Sequence, residues 1–144
     1  MSVETAHAQR VRERAVERAA TQASITPDTP VWVGVVRSPP GWFRRRVDVA
    51  LPALGLSVET HETLVRRRRD LRMQGLCAEG AHNAAWEELD VDERYRAHLS
   101  SEDAREALAS LAVRTERERI VLATDRQPGF RCHRTVLASV LAGD

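Results

Sequence analysis

The stretch "VWVGVVRSPPGW", residues 31–42, decides the fold. Its first six residues are apolar or glycine with no polar alternation, as expected of a strand covered on both faces in a parallel sheet. The turn-rich "RSPPGW" then ends it. Working outward, "RIVLAT" (119–124) is a second fully buried strand, and "LSVETH" (56–61) reads as a strand between the two. Residues 42–54 place Phe43, Val47, Leu51 and Leu54 on one helix face, with Pro52 in the last turn and Gly55 as terminator. "ETLVRRRRDLR" reads as a helix running into a loop made irregular by Gly75 and Gly80. Asp90 and Glu93 have capping-box spacing for a short helix, and Ser101 can start the next, with Ala104, Ala107, Leu108 and Leu111 as its apolar stripe. "HRTVLASVLAGD" closes the chain as a helix with Val136, Leu137, Val140 and Leu141 inward. Strands alternating with helices predict an α/β fold: a small, mostly parallel sheet flanked by helices, with an extra amino-terminal helix.

That extra helix is expected over residues 3–23, rich in helix formers and carrying Arg10/Glu13 and Arg14/Glu17 pairs. The organisation is then a charged helix at 1–24, a proline-bearing linker at 25–30, and one α/β domain at 31–144. The helix offers a surface for self-association, and removing residues 1–24 should leave the core folded. A chain of 144 residues with 42% hydrophobic content buries one core. No run approaches a membrane span or a secretory leader, so a cytoplasmic protein with no membrane partner is expected. The two cysteines, Cys77 and Cys132, are expected to be reduced. All 22 basic residues are Arg, which reflects coding bias more than mechanism. The net charge of +1 hides a split: residues 36–72 hold nine Arg against four acids, and residues 73–110 three against nine.

Ligands of open parallel sheets bind where strands end and lead into helices. Two loops qualify, 37–42 and 125–131. If their strands are neighbours, Arg37, Asp125, Cys132, His133 and Arg134 converge on one crevice, with Trp42 able to wall it. A helix amino end favours anions and ionises a thiol. Cys132 is then a candidate nucleophile, His133 its base or a general acid, Asp125 their acidic neighbour, and Arg37 with Arg134 an anion clamp. The alternative is that Cys132 is buried packing, His133 a cap or a partner of Asp125, and Arg134 paired with a nearby acid. Adjacent helical side chains diverge by about 100°, so only one of Cys132 and His133 should face the crevice. Two familiar chemistries fail on spacing. A phosphatase-like loop needs Arg six positions after its Cys, where Ala138 stands. Zinc would have to use the awkward adjacent pair of Cys132 and His133 together with Cys77 and His82. Neither metal nor cofactor is expected. The run Arg66, Arg67, Arg68, Arg69 could track a nucleic-acid backbone, yet no aromatic residue adjoins it, and a solvated helix face is the simpler reading.

"VVRSPP", "WEELDVDERY" and "LATDRQPGFRCHR" together resemble the domain-of-unknown-function 488 family over residues 31–142. That family is similar in having an early strand ending in Asp-Val-Arg, a Trp and Tyr in a middle helical segment, and a late Cys-x-Glu before a Cys-His-Arg that opens the last helix. Arg37, Trp86, Tyr95, Pro128, Cys132, His133 and Arg134 fit this pattern. Val35 replaces its Asp, Ala123 its Cys and Asp125 its Glu, and the loop before Cys132 is one residue longer. The resemblance implies an α/β fold, a divergent member and a site at these loops, without a reaction. Three functions stay open. The first is an enzyme, or former enzyme, binding an anionic small molecule such as a nucleotide. The others are a nucleic-acid module using the Arg run and a non-catalytic interaction domain.

Overall fold

A computed structural model describes residues 3–14 and 29–143. The deciding stretch forms β2 (Val31–Gly34), an inner strand of a parallel four-stranded sheet ordered β1-β4-β2-β3, with β1 at Val3–Ala6, β3 at Val49–Ala50 and β4 at Ile120–Ala123. β2 and β4 are direct neighbours, Val31 opposite Ile120 and Gly34 opposite Ala123. The strand-like run needs burial on both faces and receives it. Val33 and Val35 enter the larger core with Leu64, Trp86, Tyr95, Leu111 and Leu137. Trp32 faces the other side with Val11, Phe43 and Val121.

The larger core is closed by α3 (Val58–Met73), α4 (Ala78–Glu88), α5 (Val91–His98), α6 (Glu102–Thr115) and α7 (His133–Leu141). The opposite face is covered by two short helices, α1 (Ala8–Arg12) and α2 (Gly41–Arg44). Arginine stems complete that thin cover. Arg12 lies 3.9 Å over the Trp42 ring, and Arg14 and Arg10 lie 4.3 and 5.4 Å over Trp32. Among the described residues no helix is long and apolar enough to cross a membrane.

Several local expectations are corrected. Residues 3–6 are a strand, not the start of a helix, because the open edge of β4 pairs Val3 with Ile120 through Ala6 with Ala123. Surface Arg/Glu pairs contribute only ~0.2–0.5 kcal/mol each to a helix and do not outweigh that ladder. The expected helix survives as α1, while its continuation at 15–24 and linker residues 25–28 lie outside the described residues. The helix expected at 42–54 is divided into α2, β3 and a 3₁₀ turn at Pro52–Leu54. Pairing of Val33 with Val49, anchored by Trp32 N–H to Asp48 Oδ2 at 2.9 Å, outweighs its helical spacing. The strand expected at 56–61 opens α3 instead, since Ser57 Oγ accepts from Thr60 N–H.

The irregular segment around Gly75 and Gly80 is a tight turn into α4. Gly75 takes φ 107°, and Cys77 caps α4 by accepting from Gly80 N–H at 3.3 Å. Asp90 forms no capping box; it sits in the left-handed region at φ 53° with no side-chain cap bond. Ser101 caps α6 as expected, and β4 and α7 stand where their apolar patterns place them.

Candidate functional site

Because β2 and β4 pair in register, their carboxyl ends open side by side, and Val35 N–H continues the ladder to Ala123 O at 3.0 Å. A crevice of about 430 Å³ lies beyond those ends. One wall is the chain after β2, with Val36, Arg37 and Ser38; the facing wall is the segment after β4, with Asp125 and Arg126, and His133 of α7. The amino end of α3 closes it with Leu56, Val58, His61 and Glu62.

Three predicted residues therefore line one cavity: Arg37, Asp125 and His133. Arg37 Nε–H donates to Leu56 O at 2.7 Å, which holds its guanidinium at the strand end. Gly55 is required beside it. A side chain there would run onto the Arg37 backbone nitrogen and come within 3.0 Å of Arg37 Cα.

Cys132 and His133 do not behave as two consecutive helical residues. Cys132 is the residue before α7, with extended backbone (φ −148°, ψ 152°), so the 100° divergence does not apply. His133 lines the crevice, while Cys132 is buried behind it with Sγ 3.7 Å from His133 Nδ1 and 3.4 Å from Thr124 Oγ1. The Val35 carbonyl can only accept, so at 2.6 Å His133 Nε2 carries a proton and donates to it. That leaves Nδ1 for the thiol, so Cys132 Sγ, the imidazole and the Val35 carbonyl stand in series, with His133 alone of the three reaching the crevice. Burial pushes the Cys132 thiol up, but the His133 charge and hydrogen bond, the Thr124 hydroxyl and the Arg134 backbone N–H together outweigh it and bring it down to about 5. Thr124 has a free proton for this because its oxygen accepts from Arg134 Nη1–H at 3.0 Å. The same bond turns the Arg134 side chain toward Thr124, and it is not among the crevice walls. Tyr95 packs edge-on against His133 at 5.0 Å and donates to Leu54 O at 2.6 Å. Burial, then the Cys132 charge, raises its phenol above the ordinary range.

Trp42 stands away from the crevice, edge-on to Phe43 and under Arg12. The four consecutive arginines do not share a surface. Arg67 is held by Glu88 at 2.6 Å, Arg68 donates to His82 Nδ1 at 3.1 Å, and Arg66 and Arg69 are exposed. His82 is fully buried; its Nε2–H donates to Arg131 O at 2.7 Å. With Nδ1 accepting, it is a neutral imidazole. Burial, chiefly, with the charges of Arg126, Arg68 and Arg131, lowers it to about 4 against the upward pull of the Arg131 carbonyl.

Sequence reasoning missed Arg126, His61, Glu62 and Ser38. The Arg126 Nε is buried with no hydrogen-bond partner, and its neighbourhood is cationic. Burial first, then the charges of Arg126 and Arg68, lowers His61, while Asp125 and Glu62 pull it upward. Burial and then Arg126 lower Arg68 as well. Arg126 lies in the very loop flagged at the end of β4 and could have been named. His61 could not, since residues 56–61 read as a strand. Among the described residues, no group of three His, Cys, Asp or Glu side chains could hold a metal.

The family model described as domain of unknown function DUF488 matches residues 37–141. The chain belongs to this family. No curated protein and no solved structure matches it. The DUF488 match spans β3, β4 and α2 to α7 and begins at Arg37, so β2 and the amino-terminal strand lie before it. Val35, which lies before the DUF488 match, and Ala123 stand where the resemblance implies Asp and Cys, and both are fully buried core residues. Asp125, the third departure, reaches the crevice.

Proposed function

We propose that this DUF488 domain binds an anionic small molecule such as a nucleotide in the strand-end crevice, with Cys132 and His133 as the reactive pair of an enzyme or former enzyme. The observation that carries the reading is Arg126: a buried, unpartnered guanidinium nitrogen in the cavity wall. Leaving such a donor unpaired costs ~1–3 kcal/mol. Neither Arg126 nor neighbouring Arg68 has a carboxylate at ion-pair distance among the described residues. A phosphate or carboxylate in the crevice would supply the missing acceptor once the guanidinium turns its shielded Nε toward it. Arg37 approaches from the opposite wall, and Asp125 and Glu62 offer acceptors for ligand hydroxyls, a combination that suits a nucleotide better than bare phosphate.

The test is thermal stabilisation by a nucleotide panel, comparing wild type with Arg126→Met. A ligand at one hundred times its Kd stabilises by ~2.7 kcal/mol, and the variant should lose that response while melting cooperatively on its own. Failure of every anion to stabilise wild type, or equal stabilisation of Arg126→Met, refutes the reading.

A further inference from the structure

We infer that the crevice is one end of a longer cationic track along α3, and that the ligand is a single-stranded oligonucleotide whose terminal nucleotide occupies the crevice. This rests on the anion-binding reading above. His61, Val65, Arg68, Arg69 and Arg72 recur on α3 at spacings that place them on one helix face. His61 lines the crevice at one end of that stripe. A second cavity, of about 270 Å³, lies at the other end against Val65, Arg68, Arg69 and Arg72, with Ala78 and Phe130 completing its wall. The loop after β4 follows the same line, Arg126 in the first cavity and Phe130 in the second. Eleven residues of helix separate His61 from Arg72, ~16 Å at 1.5 Å per residue, longer than one nucleotide needs.

The charges along this line lack carboxylate partners among the described residues, and Arg68 has the neutral His82 ring as its hydrogen-bond partner. Among the described residues no carboxylate lies at ion-pair distance from Arg68, Arg69, Arg72 or Arg126, whereas Arg67 and Arg131, just off the line, are paired with Glu88 and Asp92. Arg68 is half-buried, with Arg126 as the charged neighbour that further disfavours its cation. Guanidinium groups crowded in this way repel until an anion stands between them. Phe130, half-buried with its ring 5.2 Å from that of His82, presents an aromatic surface in the second cavity beside Arg68, Arg69 and Arg72, and bases stack on such rings. A row of phosphates alone would match the arginines and leave Val65, Ala78 and Phe130 without purpose.

The experiment measures affinity for AMP, a single-stranded hexanucleotide and inorganic polyphosphate of equal charge. The proteins are wild type, Arg69→Gln/Arg72→Gln, Phe130→Ala and Arg126→Met. Arg69 and Arg72 are exposed, so their double variant keeps the fold. The hexanucleotide should bind at least ten-fold more tightly than AMP. The double variant should lose that gain and keep AMP affinity, with a log–log salt slope shallower by ~1.4, about 0.7 for each single-strand phosphate contact. Phe130→Ala should weaken the hexanucleotide and leave polyphosphate unchanged. Equal affinity for AMP and hexanucleotide, or a double variant that binds both as wild type does, overturns the track while an Arg126-dependent AMP site still stands. Polyphosphate binding as tightly as the hexanucleotide, with no effect of Phe130→Ala, overturns the choice of nucleic acid. Absence of binding of AMP, hexanucleotide and polyphosphate alike to wild type removes the crevice reading and the track together.

Discussion

Replacing His133 with Gln separates the two things that side chain does. A glutamine amide can still donate to the Val35 carbonyl, now met at 2.6 Å by Nε2, but it cannot carry a charge beside Cys132. The thiol stands at about 5 against an ordinary 9.0, so the folded site favours thiolate by ~5 kcal/mol at 1.36 kcal/mol per unit. Burial works against that preference, and His133 is the largest influence for it. In the glutamine variant the Cys132 midpoint should therefore climb well above 5, held back only by the Thr124 hydroxyl and the Arg134 backbone N–H. The assay is thiolate absorbance near 240 nm against pH, in a Cys77→Ser background that leaves a single thiol. Serine at 77 preserves the cap that Cys77 gives to Gly80 N–H. The same pair sets a pH dependence of stability. A thiol depressed on folding contributes fully above its unfolded value of 9.0, and the contribution is lost as pH falls through about 5. Between about pH 5 and 6 a free imidazole is largely protonated in any case. Wild type should there gain up to ~1.4 kcal/mol per pH unit relative to Cys132→Ala. A wild-type thiol titrating near 9, or an unmoved midpoint in His133→Gln, refutes the ion-pair account.

Three further outcomes follow from the packing. Gly55→Ala should cost about 2 kcal/mol by overpacking, because the added methyl meets the Arg37 backbone, and urea denaturation should show it together with weakened nucleotide stabilisation. Deleting residues 1–7 should lower the urea midpoint and disturb the crevice loop, since β1 pairs along β4 and Thr124 N–H donates to Ala6 O at 3.0 Å; an unchanged midpoint would show β1 dispensable. His82, brought down to about 4 from 6.5, takes up its proton later in the folded protein than in the unfolded chain. Stability is then full above about 6.5 and lost as pH falls toward 4, a loss that melts of His82→Gln across that range should lack.

The two central strands were legible because their burial is written locally: runs of four to six apolar or glycine residues, followed within three positions by Pro or Asp, need no knowledge of what covers them. β1 was not, because "VETA" has no such run, and it becomes a strand only through pairing with a segment at the far end of the chain. β3 failed for the same reason on a smaller scale. Val47, Leu51 and Leu54 are spaced for a helix, and the tie between Trp32 and Asp48 that decides otherwise is not local. The site divides along the same line. Arg37, Asp125 and His133 follow from strand adjacency alone, so a topological rule found them. Which helix closes the crevice, and hence the presence of His61 and Glu62, depends on where α3 docks. Arg134 and Trp42 stand outside the cavity wall, the one bonded to Thr124 and the other under Arg12, contacts that strand adjacency does not foretell.

Val35 shows how the pair at 132 and 133 can be oriented without an acid at the strand end. The resemblance sets an Asp at this position, and a carboxylate is the usual group to hold an imidazole in place. Here the side chain is given to the core and is fully buried, while the backbone carbonyl of the same residue receives the His133 proton. A carbonyl fixes the tautomer as firmly as a carboxylate but adds no negative charge. A carboxylate would have drawn the imidazolium charge toward itself; with a neutral acceptor, the thiolate is the anion nearest to that charge. Replacing Val35 with Asp would put a second anion behind His133 in a dry core, and the stabilisation of the Cys132 thiolate should weaken, not strengthen.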